Sequence, residues 1–359
     1  MKAAKVLWAL AMAFLLCCCR GGQTETAGGG DTISLKYARN LTLIKHKGYV
    51  EAILRNPWDT TQTLNRYEIR KPLRKAAVFS AVHCALLQEL GMEQCIGGVC
   101  DLGYIHLPYV QEGVNKGTIV DLGNGMEPNV ERVMDLQPDA LMPSPFENSG
   151  GYGRIERLGI PIIECADYME DSPLGRAEWM KFYGLLFGCS ERADSLFECV
   201  EQNYLRLKAL AQKTSSRPTL LTDKPYQGTW HVPGGKSTMG IMFHDAGARY
   251  IFSSHAKSGG IPMSLEAVME AGQEADIWIM KYTSQKPLTL KELADDNSLY
   301  ERFSAFRLRR VYGCNTETSA FFEETPFHPE RLLENLIDLF HPELGLNPCH
   351  NYYLLLNEK

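Results

Sequence analysis

The sequence predicts an α/β protein of two lobes, each a mostly parallel sheet flanked by helices. One long interdomain helix joins them, and an extra N-terminal β segment precedes them. Three observations carry this. First, two distant stretches share one local grammar. Asn129-Val130-Glu131-Arg132-Val133-Met134 leads to Pro138-Asp139-Ala140-Leu141-Met142, and Ser264-Leu265-Glu266-Ala267-Val268-Met269 leads to Ala275-Asp276-Ile277-Trp278-Ile279-Met280. Each opens on a helix-capping side chain, puts a Glu in the first turn and runs a short amphipathic helix into an apolar strand. A repeated unit implies two similar lobes with a cleft between them. Second, strands and helices alternate from Lys75 onward, the pattern of a parallel sheet covered by helices. Third, Glu191 to Gln212 has no proline and repeats Ala193, Leu196, Phe197, Val200, Tyr204, Leu207 and Leu210 at helical spacing. A helix of about twenty residues spans roughly 30 Å, enough to pass from one lobe to the other.

In chain order, residues 1–19 read as an export signal. Lys2 and Lys5 precede an apolar run, Val6 to Leu16, too short for the roughly twenty residues that cross a bilayer. The run stops on Cys17-Cys18-Cys19 and resembles a lipobox, with Cys18 or Cys19 as the acylated residue because each follows a small one. Residues 20–32, rich in Gly and Thr, read as a flexible tether. Residues 33–72 read as short strands in a meander, broken at Gly48 and Asn56-Pro57-Trp58-Asp59.

The N-terminal lobe, 73–188, starts with strand Ala76 to Phe79 and helix Val82 to Leu90. Strands follow at Gln94 to Val99, Thr118 to Asp121 and Ala140 to Met142, then helix Tyr152 to Leu158 and strand Pro161 to Cys165. After helix Leu174 to Phe187 comes the linking helix, 189–213. The C-terminal lobe, 214–346, holds strands Thr219 to Thr222, Ile277 to Met280 and Arg310 to Tyr312, with helices Lys236 to Ala246, Leu265 to Glu270 and Glu330 to Phe340. Residues 347–359 form a tail.

Composition excludes several classes. The formal charge of −6 gives no basic footprint for nucleic acid. The eleven cysteines do not form a disulfide pattern. Cys95 and Cys100, at the ends of an extended strand, would stand about 16 Å apart, beyond the roughly 7 Å a disulfide tolerates. Cys84, Cys165, Cys189 and Cys199 read as buried small apolar residues, and no spacing marks a zinc site.

Ligands of parallel α/β sheets sit at the carboxyl ends of strands. That rule names Ser80, His83, Asp101, Tyr104, Ser144, Phe146 and Glu147 on the first lobe, and Tyr226, Trp230, His231, Tyr282 and Asn315 on the second. Trp230 and Tyr226 stand among Gly228, Pro233, Gly234 and Gly235, a loop unable to bury much of its own backbone, which turns them toward a ligand or the rim.

Several landmarks in order carry a family resemblance: Ser80-Ala81-Val82-His83; Leu136-Gln137-Pro138-Asp139; Leu158-Gly159-Ile160-Pro161; Trp230 to Ser237; Asp245-Ala246-Gly247-Ala248; and His328-Pro329-Glu330-Arg331-Leu332-Leu333. Over roughly Lys75 to Leu346 the chain resembles the substrate-binding proteins of ATP-driven importers for iron chelates, haem and vitamin B12. The 33–72 segment and Tyr168 to Phe187 depart from that pattern. The resemblance implies a largely preformed cleft, and a monomer that delivers its cargo to an ABC permease with its ATPase. It makes Glu131 and Glu266 the permease-docking residues, one per lobe. It implies no resident cofactor, a transported ligand carrying Co or Fe, and a lipid anchor at the membrane. Trp230 and Tyr226 would stack on a corrin, porphyrin or catecholate. For haem, His83, Tyr226 or Tyr282 would supply an axial donor. Only scattered cations, Lys224, Lys236 and Lys281, suit an anionic siderophore.

Three other readings stay open on the residues: a surface scavenger serving an outer-membrane receptor, a hydrolase using Ser80, His83 and Asp101, and an iron–sulfur protein. The chain has no Gly-x-Ser-x-Gly elbow and no clustered cysteines for the last two.

Overall fold

The computed structural model describes residues 30–59, 61–147 and 151–358. Cys18 and Cys19, with the signal and nearly all of the tether, lie outside the described residues. The chain opens in an antiparallel meander of β1 (Asp31–Ile33), β2 (Leu41–His46), β3 (Tyr49–Arg55) and β4 (Thr63–Ile69), paired in that order. Leu41, Leu43, Ala52 and Leu54 are buried on its inner face.

The N-terminal lobe runs β5 (Ala76–Val78), α1 (Ala81–Glu89), β6 (Ile96–Val99), α2 (Pro108–Lys116), β7 (Val120–Asp121), a small hairpin of β8 (Gly123–Asn124) and β9 (Glu127–Pro128), α3 (Val130–Leu136) and β10 (Ala140–Met142). The sheet order is β10-β5-β6-β7, all parallel. Every residue of β5, β6 and β10 is buried, as a parallel sheet covered on both faces requires. Gly98 fits because a Cβ there would lie 2.8 Å from Leu136 and 2.9 Å from Leu122.

Three elements differ from expectation. Residues Glu93–Cys95 form a 3-10 turn, so the strand starts at Ile96. Gly153–Leu158 is 3-10 rather than α. The strand expected at Pro161 to Cys165 shrinks to one parallel bridge between Ile162 and Leu141. Ile163 and Cys165 N–H still donate to the Leu141 and Pro143 carbonyls at 2.8 Å, but neither Pro161 nor Pro143 has an N–H to complete the ladder. On the outer edge the Glu164 N–H donates to the Tyr67 hydroxyl of β4 at 3.0 Å. The meander takes the donor a further strand would use.

Between the lobes lie α4 (Pro173–Glu178), α5 (Met180–Phe187) and the unbroken α6 (Ser190–Gln212), whose 23 residues extend about 34 Å. The C-terminal lobe comprises β11 (Thr219–Thr222), β12 (Trp230–Pro233), α7 (Thr238–Asp245), β13 (Arg249–Tyr250), β14 (Gly260–Met263), α8 (Leu265–Gly272), β15 (Ile277–Tyr282), α9 (Leu290–Asp296), α10 (Ser304–Arg307), β16 (Val311–Asn315), α11 (Phe321–Glu324), α12 (Pro329–Phe340) and β17 (Leu354–Leu355). Its sheet order is β13-β11-β15-β16-β17, parallel except for β17. The expected tail thus supplies an edge strand. Of the four cysteines expected to be buried only Cys84 and Cys165 are, Cys189 being half-buried and Cys199 exposed on the solvent face of α6. The two-lobe α/β class with a linking helix and an extra β segment is what the chain adopts.

Buried carboxylates tie the parts together. Glu178, fully buried, accepts the backbone N–H groups of Lys36, Tyr37 and Ala38 at 2.9, 2.7 and 2.9 Å. Glu170 accepts those of Arg39 and Asn40 and the Trp179 indole N–H at 2.8 Å. The link from β1 to β2 is therefore strapped to the lobe junction. Across the junction, Glu89 of α1 pairs with His328 and with Arg331 at 3.2 Å. Burial opposes charge on His328, but its bonds to Glu330 and Glu89 outweigh that and raise its pKa to about 9.

A raised folded pKa stabilises fully below the ordinary histidine value and loses its effect as pH climbs through about 9. The thermal midpoint should therefore fall between pH 7 and pH 10, by an amount equivalent to about 2 kcal/mol. A His328→Gln chain, already less stable at pH 7, should show a flatter profile in the same calorimetric series.

Candidate functional site

The carboxyl ends of β5 and β6 face those of β15 and β16 across a crevice of about 540 Å³. One wall is Phe79, Ser80, Asp101, Tyr104 and His106; the other is Thr283, Thr316, Glu317, Phe322 and Pro326. Arg176, on the junction helix α4, reaches the crevice and also an adjoining pocket of about 220 Å³ lined by Met239, Met242, Lys281 and Phe321. Phe322 and Pro326 border both.

Local structure explains the placement. After β6 the chain turns at Asp101, held at a φ of 52°, and its N–H donates to the Gly123 carbonyl at 2.7 Å. The following 3-10 turn, Leu102–Tyr104, projects the Tyr104 ring, which is 80% exposed. From the other lobe Phe322, in the first turn of α11, is 56% exposed. Both large apolar rings are left to water beside one crevice, a costly arrangement for a surface with no occupant.

Arg176 is held from behind. Its Nε donates to Asp167 Oδ2 at 3.0 Å. Asp167 Oδ1 accepts the Tyr183 hydroxyl at 2.8 Å and lies 2.7 Å from His83 Nε2. Burial pushes the Asp167 carboxyl up, but the neighbouring His83, Arg176 and Tyr183 hold it well below the usual carboxylate range. One edge of the guanidinium is thereby committed to a fixed anion, and the side chain lines the crevice. Such preorganisation lowers the entropy lost when an oxyanion is captured.

The structure brings together Ser80, Asp101 and Tyr104 among the expected contacts. His83 is corrected: it is 2% exposed, closed off by Asp167, Tyr183 and the Phe327 ring. A hydrolytic triad of Ser80, His83 and Asp101 has no geometry here, because Nε2 serves Asp167 and Tyr183 and Nδ1 is buried without a partner. Trp230 is corrected too. Its indole is fully buried among Trp278, Tyr300 and Phe303, and its Nε1 donates to the Thr222 carbonyl at 2.8 Å. The glycines beside it serve backbone packing. A Cβ on Gly234 would lie 2.1 Å from the Lys257 carbonyl oxygen, and one on Gly235 would lie 2.0 Å from that of Ser253.

Tyr226 is exposed in a tight turn closed by Thr229 and is not part of the crevice lining. His231 is exposed on β12 opposite Pro262. Ser144, Phe146 and Glu147 are exposed beyond β10, outside the crevice lining. Tyr282 and Asn315 border a separate hollow under the C-terminal segment. There the Tyr282 hydroxyl accepts from Leu288 N–H at 3.1 Å, and Asn315 clasps Ser284.

Arg176, His106 and Phe322 were not anticipated. His106 follows Tyr104 at the same strand end, so the carboxyl-end rule reaches it. Arg176 carries no local signal, because Asp167 finds it only through the fold.

Glu131 and Glu266 are both exposed in the first turns of α3 and α8. Asn129 caps the first helix through Arg132 N–H at 3.0 Å, and Ser264 caps the second through Ala267 N–H at 3.2 Å. The Glu266 carboxyl is lowered by its own backbone N–H and by Ser264.

Known proteins agree with this architecture. An uncharacterized lipoprotein of Methanocaldococcus jannaschii is 26% identical, with 90% of this chain and 85% of the relative aligned. A periplasmic binding protein from Veillonella parvula superposes with a TM-score of 0.61 at 14% identity, covering 85% of this chain and 95% of that one. A periplasmic heme binding protein from Pseudomonas aeruginosa superposes with a TM-score of 0.59 at 18% identity, covering 78% and 97%. The periplasmic binding protein family matches over residues 85–318. That span holds Asp101, Tyr104 and His106 of one wall, Thr283, Thr316 and Glu317 of the other, Arg176 and both exposed glutamates, while Phe79, Ser80, Phe322 and Pro326 lie outside it. The chain belongs to the periplasmic binding protein family, whose members bind solutes rather than transform them.

Proposed function

We propose that this chain is an exported, lipid-anchored receptor that captures an anionic metal chelate, haem or a ferric siderophore, in the interlobe crevice and hands it to an ABC permease. The observation that carries the reading is the pairing of Tyr104 and Phe322, exposed on opposite lobes, with the prealigned Arg176 at the same crevice. Two aromatic faces suit a flat or aryl-rich ligand. The guanidinium suits a carboxylate or catecholate oxygen. His106 and Tyr104 stand where an iron donor would be wanted, in place of His83, Tyr226 and Tyr282. The heme-binding Pseudomonas protein supports a cargo with carboxylate edges, and an Fe3+-hydroxamate transport protein of Saccharomonospora viridis, with a TM-score of 0.59 at 16% identity, supports a ferric chelate more broadly. The lipoprotein relative supports acylation at Cys18 or Cys19. Glu131 and Glu266 dock the loaded lobes on the permease, setting register and encounter rate more than affinity.

A thermal-shift screen against haem, ferric siderophores and cobalamin should single out one of the first two. A ligand at a hundred times its dissociation constant adds about 2.7 kcal/mol of apparent stability. Stabilisation by cobalamin alone would refute an anionic cargo.

Arg176→Ala should weaken that ligand about 10- to 100-fold, the worth of a charge-assisted hydrogen bond, measured on chain shown to be folded by its thermal transition, because the change also takes one donor from the buried Asp167. Asp167→Asn should weaken it less, by releasing the guanidinium. Equal titration curves for parent and Arg176→Ala would remove Arg176 from the site.

The double variant Glu131→Ala, Glu266→Ala should lose uptake yet keep parental ligand affinity. Undiminished uptake would instead favour a scavenger serving an outer-membrane receptor.

A further inference from the structure

The charge of this chain is divided along its length. Residues 31–75 carry ten Lys and Arg against four Asp and Glu, whereas residues 76–359 carry 24 against 38. The basic part is the N-terminal meander with its six-residue link to β5, all of it ahead of the family match, which begins at residue 85. Strand register concentrates the charge further. Asp31 pairs with Lys45 and Val50 with Ile69, so one end of the sheet gathers the start of β1, the Lys45-His46-Lys47-Gly48 hairpin and Arg70-Lys71. Lys45, Lys47, Arg70 and Lys71 are exposed, with Asp31, Glu51 and Glu68 as the acidic residues beside them, Glu51 being taken up by His46 and Arg66. Glu68 is already paired with Arg70. This is also the end at which the chain leaves toward Cys18 and Cys19.

We infer that this basic end rests on anionic phospholipid headgroups of the membrane that holds the lipid anchor, an inference that depends on the lipid-anchored reading above. The eleven residues from Arg20 to Gly30 span at most about 40 Å. The anchor therefore keeps Lys45, Lys47 and Lys71 near the bilayer at high effective concentration, and weak, screened attraction suffices to orient the protein. Lys75 adjoins the first residue of β5, at the end of that strand opposite the crevice. Contact through this end leaves the crevice facing away from the lipid, an orientation for capture. Delivery to a permease in the same membrane then requires the contact to break, which its electrostatic character allows.

The test uses the full acylated chain in nanodiscs of phosphatidylcholine alone or mixed with phosphatidylglycerol, with lysine acetylation read by mass spectrometry. On the anionic discs at low salt, Lys45, Lys47 and Lys71 should acetylate about tenfold more slowly than on the neutral discs. Lys257 and Lys286, exposed on the other lobe, should not change. At about 0.5 M salt, where screening acts within roughly 4 Å, the difference should vanish. Equal rates on both discs, with the chain retained on each, overturn this proposal and leave the anchor standing. A chain retained on neither disc overturns both.

Discussion

Between Asp167 and Glu178 the chain buries three carboxylates at the junction of its lobes, and a buried carboxylate must find donors or lose its charge. Asp167 draws His83, Tyr183 and Arg176 to itself. Glu170 and Glu178 draw in the backbone of residues 36–40. The same few residues therefore fix the seat of the linking helices, the attachment of the N-terminal meander and the aim of the crevice cation. Removing one member of such a set strands a buried charge, which typically costs about 3–5 kcal/mol.

This dependence explains what could be read from the sequence. The repeat that joins Asn129-Val130-Glu131 to Ser264-Leu265-Glu266 is local, and capping, acidic first turns and apolar strands act within a few residues; it appears in the structure as α3 and α8. The heptad-like run of α6 is equally local. The site is not. Trp230, on β12, precedes glycines that look like exposure until residues 253–259 pack against them. His83 looks like a rim histidine until Asp167, distant in sequence, closes over it. Arg176 has no signature of its own, and the segment that holds it also carries Glu170 and Glu178, which bind the link of the meander. Side chains whose role depends on a partner far along the chain are invisible to periodicity.

The strap of residues 36–40 also bears on how the crevice works. Lobes joined by one helix already resist closure, and here the joint is clasped on one side by the meander and on another by Glu89 with His328 and Arg331. Little reorganisation is left to accompany binding, so affinity has to come from surfaces that already face each other. A small flexible solute would gain little from such a site, since it cannot be wrapped. A large, stiff chelate loses few rotamers on entry and presents its faces and edge anions at fixed spacing. Tyr104, Phe322 and Arg176 are placed to meet those features without moving, and that match between a rigid host and a rigid guest is the physical argument for the cargo class.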